Sequence, residues 1–279
     1  MRLVVQGPRL TPELLQQLVQ TFQASEPVML NAHACALTAG AAEPSAVAAW
    51  CETQQLDCAF VPANRKLEDF GLVVMDMDST LISIECIDEI ADMLGLKPQV
   101  AAITESAMRG EIEFAESLQR RVALLAGLEQ SALQRVYDER LSLNPGAQTL
   151  INTLKSRGIK TLLVSGGFTY FTDRLRAQVG LDYTHANTLE IVDGKLTGKV
   201  LGDIVDAQGK ADWLIRTRDQ LGLRADQVIA IGDGANDLKM LAAAGVGIAY
   251  HAKPVVRAQA TYAFNHVGLD GVLNLFADR

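Results

Sequence analysis

Three short apolar runs constrain this chain more than any other feature, because each ends abruptly in acidic, hydroxyl or glycine residues. Leu72-Val73-Val74-Met75 leads into Asp76-Met77-Asp78-Ser79-Thr80, and Thr161-Leu162-Leu163-Val164 leads into Ser165-Gly166-Gly167-Phe168. Val228-Ile229-Ala230-Ile231 leads into Gly232-Asp233-Gly234-Ala235-Asn236-Asp237. Unbroken runs of this length suit strands covered on both faces of a parallel sheet. Helical periodicity over 168–179 and 237–244 follows the last two runs directly, and the glycines after Val164 and Ile231 favour strand-to-loop exits. The pattern predicts an α/β fold, a doubly wound parallel-sheet core.

Between the first and second runs lies a helical insert at about 83–143. Ile87, Ile90, Ala91 and Leu94 recur at helical spacing before Gly95, and further helical stretches cover 98–108, 114–125 and 130–141. An insert leaving the sheet just after a strand's carboxyl end is placed to act as a lid over the edge where ligands bind. Later, 188–192 and 195–200 flank Asp193-Gly194 as a β-hairpin with a two-residue turn. Residues 1–69 read as a small α+β accessory domain, separate from the core at 70–279. Strands are expected at 3–5, 33–38 and 58–61, with helices over 11–22 and 44–54, Thr11 as N-cap and Pro12 at the first helical position. Residues 64–69 are polar and linker-like.

Composition narrows the partners. With 49% hydrophobic and 21% charged residues, the 279-residue chain is a globular protein with a sizeable core. A net charge of -8 leaves no basic surplus for a nucleic-acid backbone. No apolar run approaches the ~20 residues needed to cross a bilayer, and the start of the chain lacks the apolar segment of a signal peptide. Cys35, Cys51, Cys58 and Cys86 form no metal-site spacing and read as small buried apolar side chains. A reduced cytoplasmic setting, a small-molecule substrate, no nucleic acid and no membrane are the expectations. The four histidines show no metal spacing, and Trp50 and Trp213 read as packing residues.

The strand-end residues carry the chemistry. Asp76 and Asp78, two apart where the chain leaves its pleat, can share one site, one carboxylate attacking phosphorus and the other moving a proton. Ser165 and the glycine amides behind it can donate to phosphate oxygens. Asp233 and Asp237 offer hard oxygen ligands suited to Mg2+. Lys210, at the start of an amphipathic helix, can neutralise developing charge. Each segment alone would serve equally as a turn, a helix cap or a solvated surface. Their coincidence at the ends of three strands favours one site at the sheet's carboxyl edge.

These residues, Asp76-x-Asp78-x-Thr80, Ser165, Lys210 and Gly232-Asp233-Gly234-x-Asn236-Asp237, resemble the four motifs of the haloacid dehalogenase (HAD) superfamily of phosphohydrolases. The string running from Asp76 through Glu85 to Ile90, with Met108, Phe114 and Arg121 in the insert, is similar to the phosphoserine phosphatase family within it. The resemblance spans about 71–276. It implies that Asp76 is the nucleophile and forms an aspartyl phosphate, while Asp78 is the acid and then the base. It implies Mg2+ held by Asp76, the Asp78 backbone carbonyl and Asp233, with Asp237 in support. Ser165, Gly166, Lys210 and Asn236 would bind the phosphate end of the substrate. Glu85 would face the ammonium of phosphoserine, Arg121 its carboxylate, and Met108 and Phe114 would form apolar walls. Some members carry an N-terminal amino-acid-binding ACT domain, which the elements before Asp69 fit in part. The residues alone leave open a phosphotransferase, a phosphatase for another small phosphomonoester, and an amino-acid-sensing regulatory protein.

Overall fold

The computed structural model describes residues 1–38, 40 and 42–277, with the side chain of Met108 outside the described set. Two sheets organise the chain. The first is antiparallel, built from β1 (Arg2–Gln6), β2 (Val28–Asn31), β3 (Ala34–Leu37) and β4 (Asp57–Val61) in the order β2-β3-β1-β4. Helices Pro12–Phe22 and Pro44–Thr53 cover one face, giving a βαββαβ arrangement. Thr11 caps the first helix by accepting from the Leu14 amide at 3.3 Å, and Pro12 opens it. Strand β2 has no counterpart in the sequence reading. Val28 and Met29 are about half exposed on an edge strand, so neither a buried run nor a clean alternation marks them.

Alternation within β1 explains how this sheet docks. Leu3 and Val5 pack toward the helices with Cys35, Leu37, Val47 and Cys51. Val4 turns the other way and joins Ala59, Val61, Phe264, Val272 and Leu275 in the core shared with the larger sheet. The Asp57 carboxylate, 3% exposed, seals the joint by accepting from the backbone amides of Asn265, His266 and Val267 at 2.8, 2.9 and 3.0 Å. The polar segment at 64–69 contains a short 3-10 turn, Leu67–Asp69, whose Leu67 is buried.

The second sheet has seven strands: β5 (Leu72–Met75), β6 (Lys160–Phe168), β7 (Tyr183–Val192), β8 (Lys195–Leu201), β9 (Val228–Gly232), β10 (Val246–Tyr250) and β11 (Tyr262–Phe264). Their order is β11-β10-β9-β5-β6-β7-β8, parallel throughout except for the antiparallel β7–β8 hairpin. The continuous apolar runs are buried on both faces. Val73, Met75, Leu163, Ile229 and Ile231 enter one core, while Leu72, Val74, Leu162, Val164, Val228 and Ala230 enter the other. Asp193 and Gly194 at the hairpin turn both have positive φ, 51° and 76°, as its two-residue loop requires.

β5 is the switch point, with β6 on one side and β9 on the other, so the crevice at its carboxyl end is where a ligand fits. Helices Cys86–Met93, Lys97–Met108, Phe114–Ala123 and Ser131–Glu139 form the cap above it. Two adjacent strands of chain connect cap and core. Ile82 bridges Leu143, and the Ser83 amide donates to the Ser142 carbonyl at 2.9 Å. The Asn144 side-chain amide donates to the Thr80 and Ile82 carbonyls at 2.8 and 3.1 Å, tying this hinge to the loop that follows β5. No helix among the described residues is long and apolar enough to cross a membrane.

Candidate active site

A cavity of about 130 Å³ lies between the cap and the carboxyl ends of β5, β6 and β9. Asp76, the residue after β5, points its carboxylate toward Lys210, whose Nζ is 2.7 Å from Asp76 Oδ1. The same Nζ is 2.7 Å from Asp237 Oδ1. Lys210 is 1% exposed, a position a lysine occupies only when paired. Burial works against its charge, but Asp237 and Asp76 outweigh that and hold its pKa above the ordinary lysine range. Helix Ala207–Gln220 delivers it from its first turn, capped by Asp206 Oδ1 accepting from the Gly209 amide at 2.8 Å.

Asp237 is fully buried and its second oxygen is also occupied, accepting from the Asp233 and Gly234 amides at 3.1 and 2.9 Å. A Cβ on Gly232 would lie 2.5 Å from the Asp237 carboxyl carbon, so the glycine makes room for that carboxylate. Asp233 accepts from the Thr80 hydroxyl at 2.8 Å, which joins the first motif to the last. Carboxylate oxygens of Asp76, Asp233 and Asp237 lie within 4.8 Å of one another. Three hard oxygen donors this close, with one lysine among them, form a set that fits a hard divalent cation. Burial pushes the Asp76 carboxyl well above its usual pKa, reinforced by the Asp237 charge and opposed by Lys210. Burial, with Asp237 beside it, raises Asp233 to about 6.

After Asp76 the chain makes a tight turn in which Ser79 takes φ 56°, in the left-handed region. The Ser79 hydroxyl donates to Glu85 Oε1 at 2.7 Å, and the Cys86 amide donates to Asp78 Oδ1 at 3.0 Å. Burial raises Asp78 to about 6, the Cys86 amide hydrogen bond partly opposing it. Burial and the Asp78 charge raise Glu85 to about 7, with the Ser79 hydroxyl pulling the other way. Both carboxyls therefore titrate near neutral pH, which suits proton transfer for Asp78.

On the β6 side, Ser165 is buried and accepts from the Gly167 amide at 2.8 Å through its hydroxyl. Gly166 and Gly167 line the cavity. A Cβ on Gly167 would sit 2.7 Å from Asp78 Oδ2, and one on Gly166 would sit 3.0 Å from the Phe114 ring. The cap contributes Phe114 and Arg121 from helix Phe114–Ala123, together with Ile87 and Leu118. Arg121 Nε donates to the Ser117 carbonyl at 3.3 Å, and burial lowers its pKa, with Asp88, Glu85 and Asp78 opposing that.

The structure thus brings Asp76, Asp78, Glu85, Phe114, Arg121, Gly166, Lys210, Asp233 and Asn236 to one cavity, with Ser165 and Asp237 buried just behind its wall. The Asp78 side chain is not in the three-carboxylate cluster; it turns toward Cys86. Met108 ends its helix, and its side chain lies outside the described residues. Gly167, one of the glycines expected behind Ser165, lines the cavity, as do Ile87, Leu118 and Phe168, which have no site role in the sequence reading, and Thr80 has a structural role that went unassigned. Thr80 stands two residues after Asp78 in the same motif, so its signal was present. Ile87, Leu118 and Phe168 carry only an apolar periodicity. Of the histidines, His185 stacks on Trp213 with ring centroids 3.7 Å apart, away from the cavity.

A buried carboxylate paired with a buried lysine, an acidic metal-type cluster and a cap over a parallel-sheet edge define a class of phosphoryl-transfer hydrolases. The family model for haloacid dehalogenase-like hydrolases matches residues 70–245, and the chain belongs to that family. A phosphoserine phosphatase of a Polaromonas species (strain JS666) is 56% identical over 215 residues, covering 75% of this chain and 91% of that one. Among solved structures, a HAD family hydrolase from Salmonella enterica serovar Typhi matches with a TM-score of 0.90 at 34% identity, over 99% of this chain and 98% of its own. A probable phosphoserine phosphatase from Vibrio cholerae matches with a TM-score of 0.87 at 41% identity, over 99% and 86%.

Proposed function

We propose that this protein hydrolyses O-phospho-L-serine to L-serine and phosphate through an aspartyl phosphate on Asp76. The observation that carries the reading is the two-ended cavity. Asp76, Lys210 and the Gly166–Gly167 backbone stand at one end, and Glu85 and Arg121 stand toward the cap. A phosphomonoester needs the first set, and an amino acid with a free ammonium and carboxylate needs the second.

In this account Asp76 attacks phosphorus in line while Lys210 offsets charge on the phosphoryl oxygens. Asp78, its carboxyl raised to about 6 by burial, gives its proton to the leaving seryl oxygen and then takes one from the water that attacks the aspartyl phosphate and releases phosphate. Arg121 pairs with the substrate carboxylate and Glu85 with its ammonium, while Phe114 excludes water. Ser165, Gly166 and Asn236 hold the phosphoryl group with Lys210. Mg2+ held by Asp76, the Asp78 backbone carbonyl and Asp233 would supply charge neutralisation at the phosphate. Both oxygens of Asp237 are engaged by Lys210 and two amides, which supports a role in fixing that cluster. The reading treats 1–69 as an accessory domain and 70–279 as the phosphatase domain, its cap at about 83–143. Four free thiols accord with a cytoplasmic setting.

The test is magnesium-dependent phosphate release from L-phosphoserine against a panel of small phosphomonoesters. The reading expects the highest kcat/KM for L-phosphoserine. A higher value for an ester lacking the amino-acid groups would overturn the substrate while keeping the chemistry.

A further inference from the structure

Asn187 lies on β7, 1% exposed, and both ends of its side-chain amide are committed to backbone groups of other segments. Its Nδ2 donates to the Gly166 carbonyl at 2.8 Å, and its Oδ1 accepts from the Val205 amide at 2.8 Å. The two contacts fix the amide's orientation, since a flip would set donor against donor and acceptor against acceptor.

These two segments carry the two halves of the phosphate end. Gly166 belongs to the Ser165-Gly166-Gly167 backbone at the cavity. Val205 immediately precedes Asp206, the N-cap of the helix whose first turn presents Lys210. The β6–β7 pairing shifts register between Val164 and Phe168, so the regular ladder is interrupted along the stretch of β6 that holds the phosphate-binding backbone. Something other than the ladder must then set where Gly166 stands relative to Lys210. Asn187 is opposite Phe168 at that interruption and spans the gap.

We propose that Asn187 is a positioning residue that fixes the spacing between the Gly166 backbone and Lys210, and so sets the affinity of the site for phosphate oxyanions. It touches no substrate. The inference rests on the proposed function only in taking this end of the cavity as the phosphate site, and it holds for any phosphomonoester.

The test uses the full chain with p-nitrophenyl phosphate as reporter substrate, and inorganic phosphate, orthovanadate and L-serine as inhibitors. Asn187→Ala is expected to weaken inhibition by phosphate and orthovanadate roughly ten-fold, the loss of about one well-placed hydrogen-bonded link. KM for the reporter rises in step, while inhibition by L-serine stays within about two-fold of wild type. Asn187→Asp, of the same shape, keeps the Val205 contact and loses the donor to Gly166. It is measured alongside and covers the case in which the alanine variant does not fold; it is expected to weaken phosphate inhibition too. Folded variants with a lower Tm but phosphate and orthovanadate inhibition within two-fold of wild type would reduce Asn187 to a packing role and overturn the proposal. An equal loss of serine inhibition would overturn it as well, since the damage would not be confined to the phosphate end. A wrong substrate reading declares itself separately, as a wild type that cleaves p-nitrophenyl phosphate yet neither cleaves phosphoserine nor responds to serine.

Discussion

Lys210 Nζ and Asp76 Oδ1 are 2.7 Å apart inside the protein, one side chain 1% exposed and the other 7%. Sequence separates these residues widely, yet the ends of β5 and of the loop leading into helix Ala207–Gln220 bring them together. Burial pushes the Asp76 carboxyl above its usual range, the Asp237 charge adds to that, and Lys210 pulls the other way by favouring the carboxylate.

Removing that lysine strands two buried carboxylates, Asp76 and Asp237. Lys210→Met is expected to abolish turnover and to cost about 3–5 kcal/mol of stability near neutral pH. The deficit should shrink at pH 5, because the stranded Asp76 carboxyl, already raised by burial, then takes up a proton and sheds its uncompensated charge. Denaturant unfolding of both proteins at pH 5 and pH 8 measures this, and an equal deficit at the two values would contradict it.

The acidic cluster predicts a stability that falls with pH when no cation is added. Asp78 and Asp233 are raised to about 6 and Glu85 to about 7, all above their unfolded values. A carboxyl whose folded pKa is raised binds its proton more tightly in the fold. The fold is therefore favoured at low pH, and that advantage is lost as pH rises from about 4 through 7. Chelator-treated protein should have a higher Tm at pH 5.5 than at pH 8. Added Mg2+ should raise Tm more at pH 8, where protons no longer compete for the carboxylates. A Tm that rises with pH in the chelator-treated protein would refute this.

Arg121 is expected to act on the amino-acid half of the substrate alone. Arg121→Ala should raise KM for phosphoserine roughly ten- to hundred-fold, the value of about 1.5–3 kcal/mol for a charged hydrogen-bonded contact. KM for p-nitrophenyl phosphate, which lacks the carboxylate, should change little. Parallel losses on both substrates would assign Arg121 to the cap's structure instead.

Asp57 should matter to the join between the sheets and not to the chemistry. Its carboxylate accepts from three backbone amides, and Asp57→Ala leaves all three without that partner. Burial raises the pKa of Asp57 and its amide partners oppose this, so the substitution also removes a desolvation penalty. A net loss of about 2–3 kcal/mol is expected, with faster hydrogen exchange at Asn265, His266 and Val267 and kcat unchanged. Unaltered exchange at those amides would contradict the account.

Much of this was legible in the sequence, for identifiable reasons. Leu72–Met75 and Val228–Gly232 are buried on both faces, so they read as plain apolar runs, and their acidic ends mark the site. Strands β10 and β11 were not legible. β10 carries Gly247, where a Cβ would meet the Leu241 carbonyl at 2.8 Å, and β11 is only three residues long. Asn187, Asn144 and Asp57 escaped for a different reason. Each acts by bonding backbone groups far along the chain, and no local pattern of residue types encodes such a partner. Glu85 and Arg121 are intermediate cases. Their spacing resembles a family's, but residue type alone would place both on a solvated helix.

The most direct test of the central claim is phosphate release from L-phosphoserine, with magnesium present, by wild type and by Asp76→Asn. The account predicts a strong preference of the wild type for L-phosphoserine and loss of that release in the variant, which keeps its shape but has no carboxylate to attack phosphorus. Undiminished release by Asp76→Asn would contradict the aspartyl-phosphate mechanism.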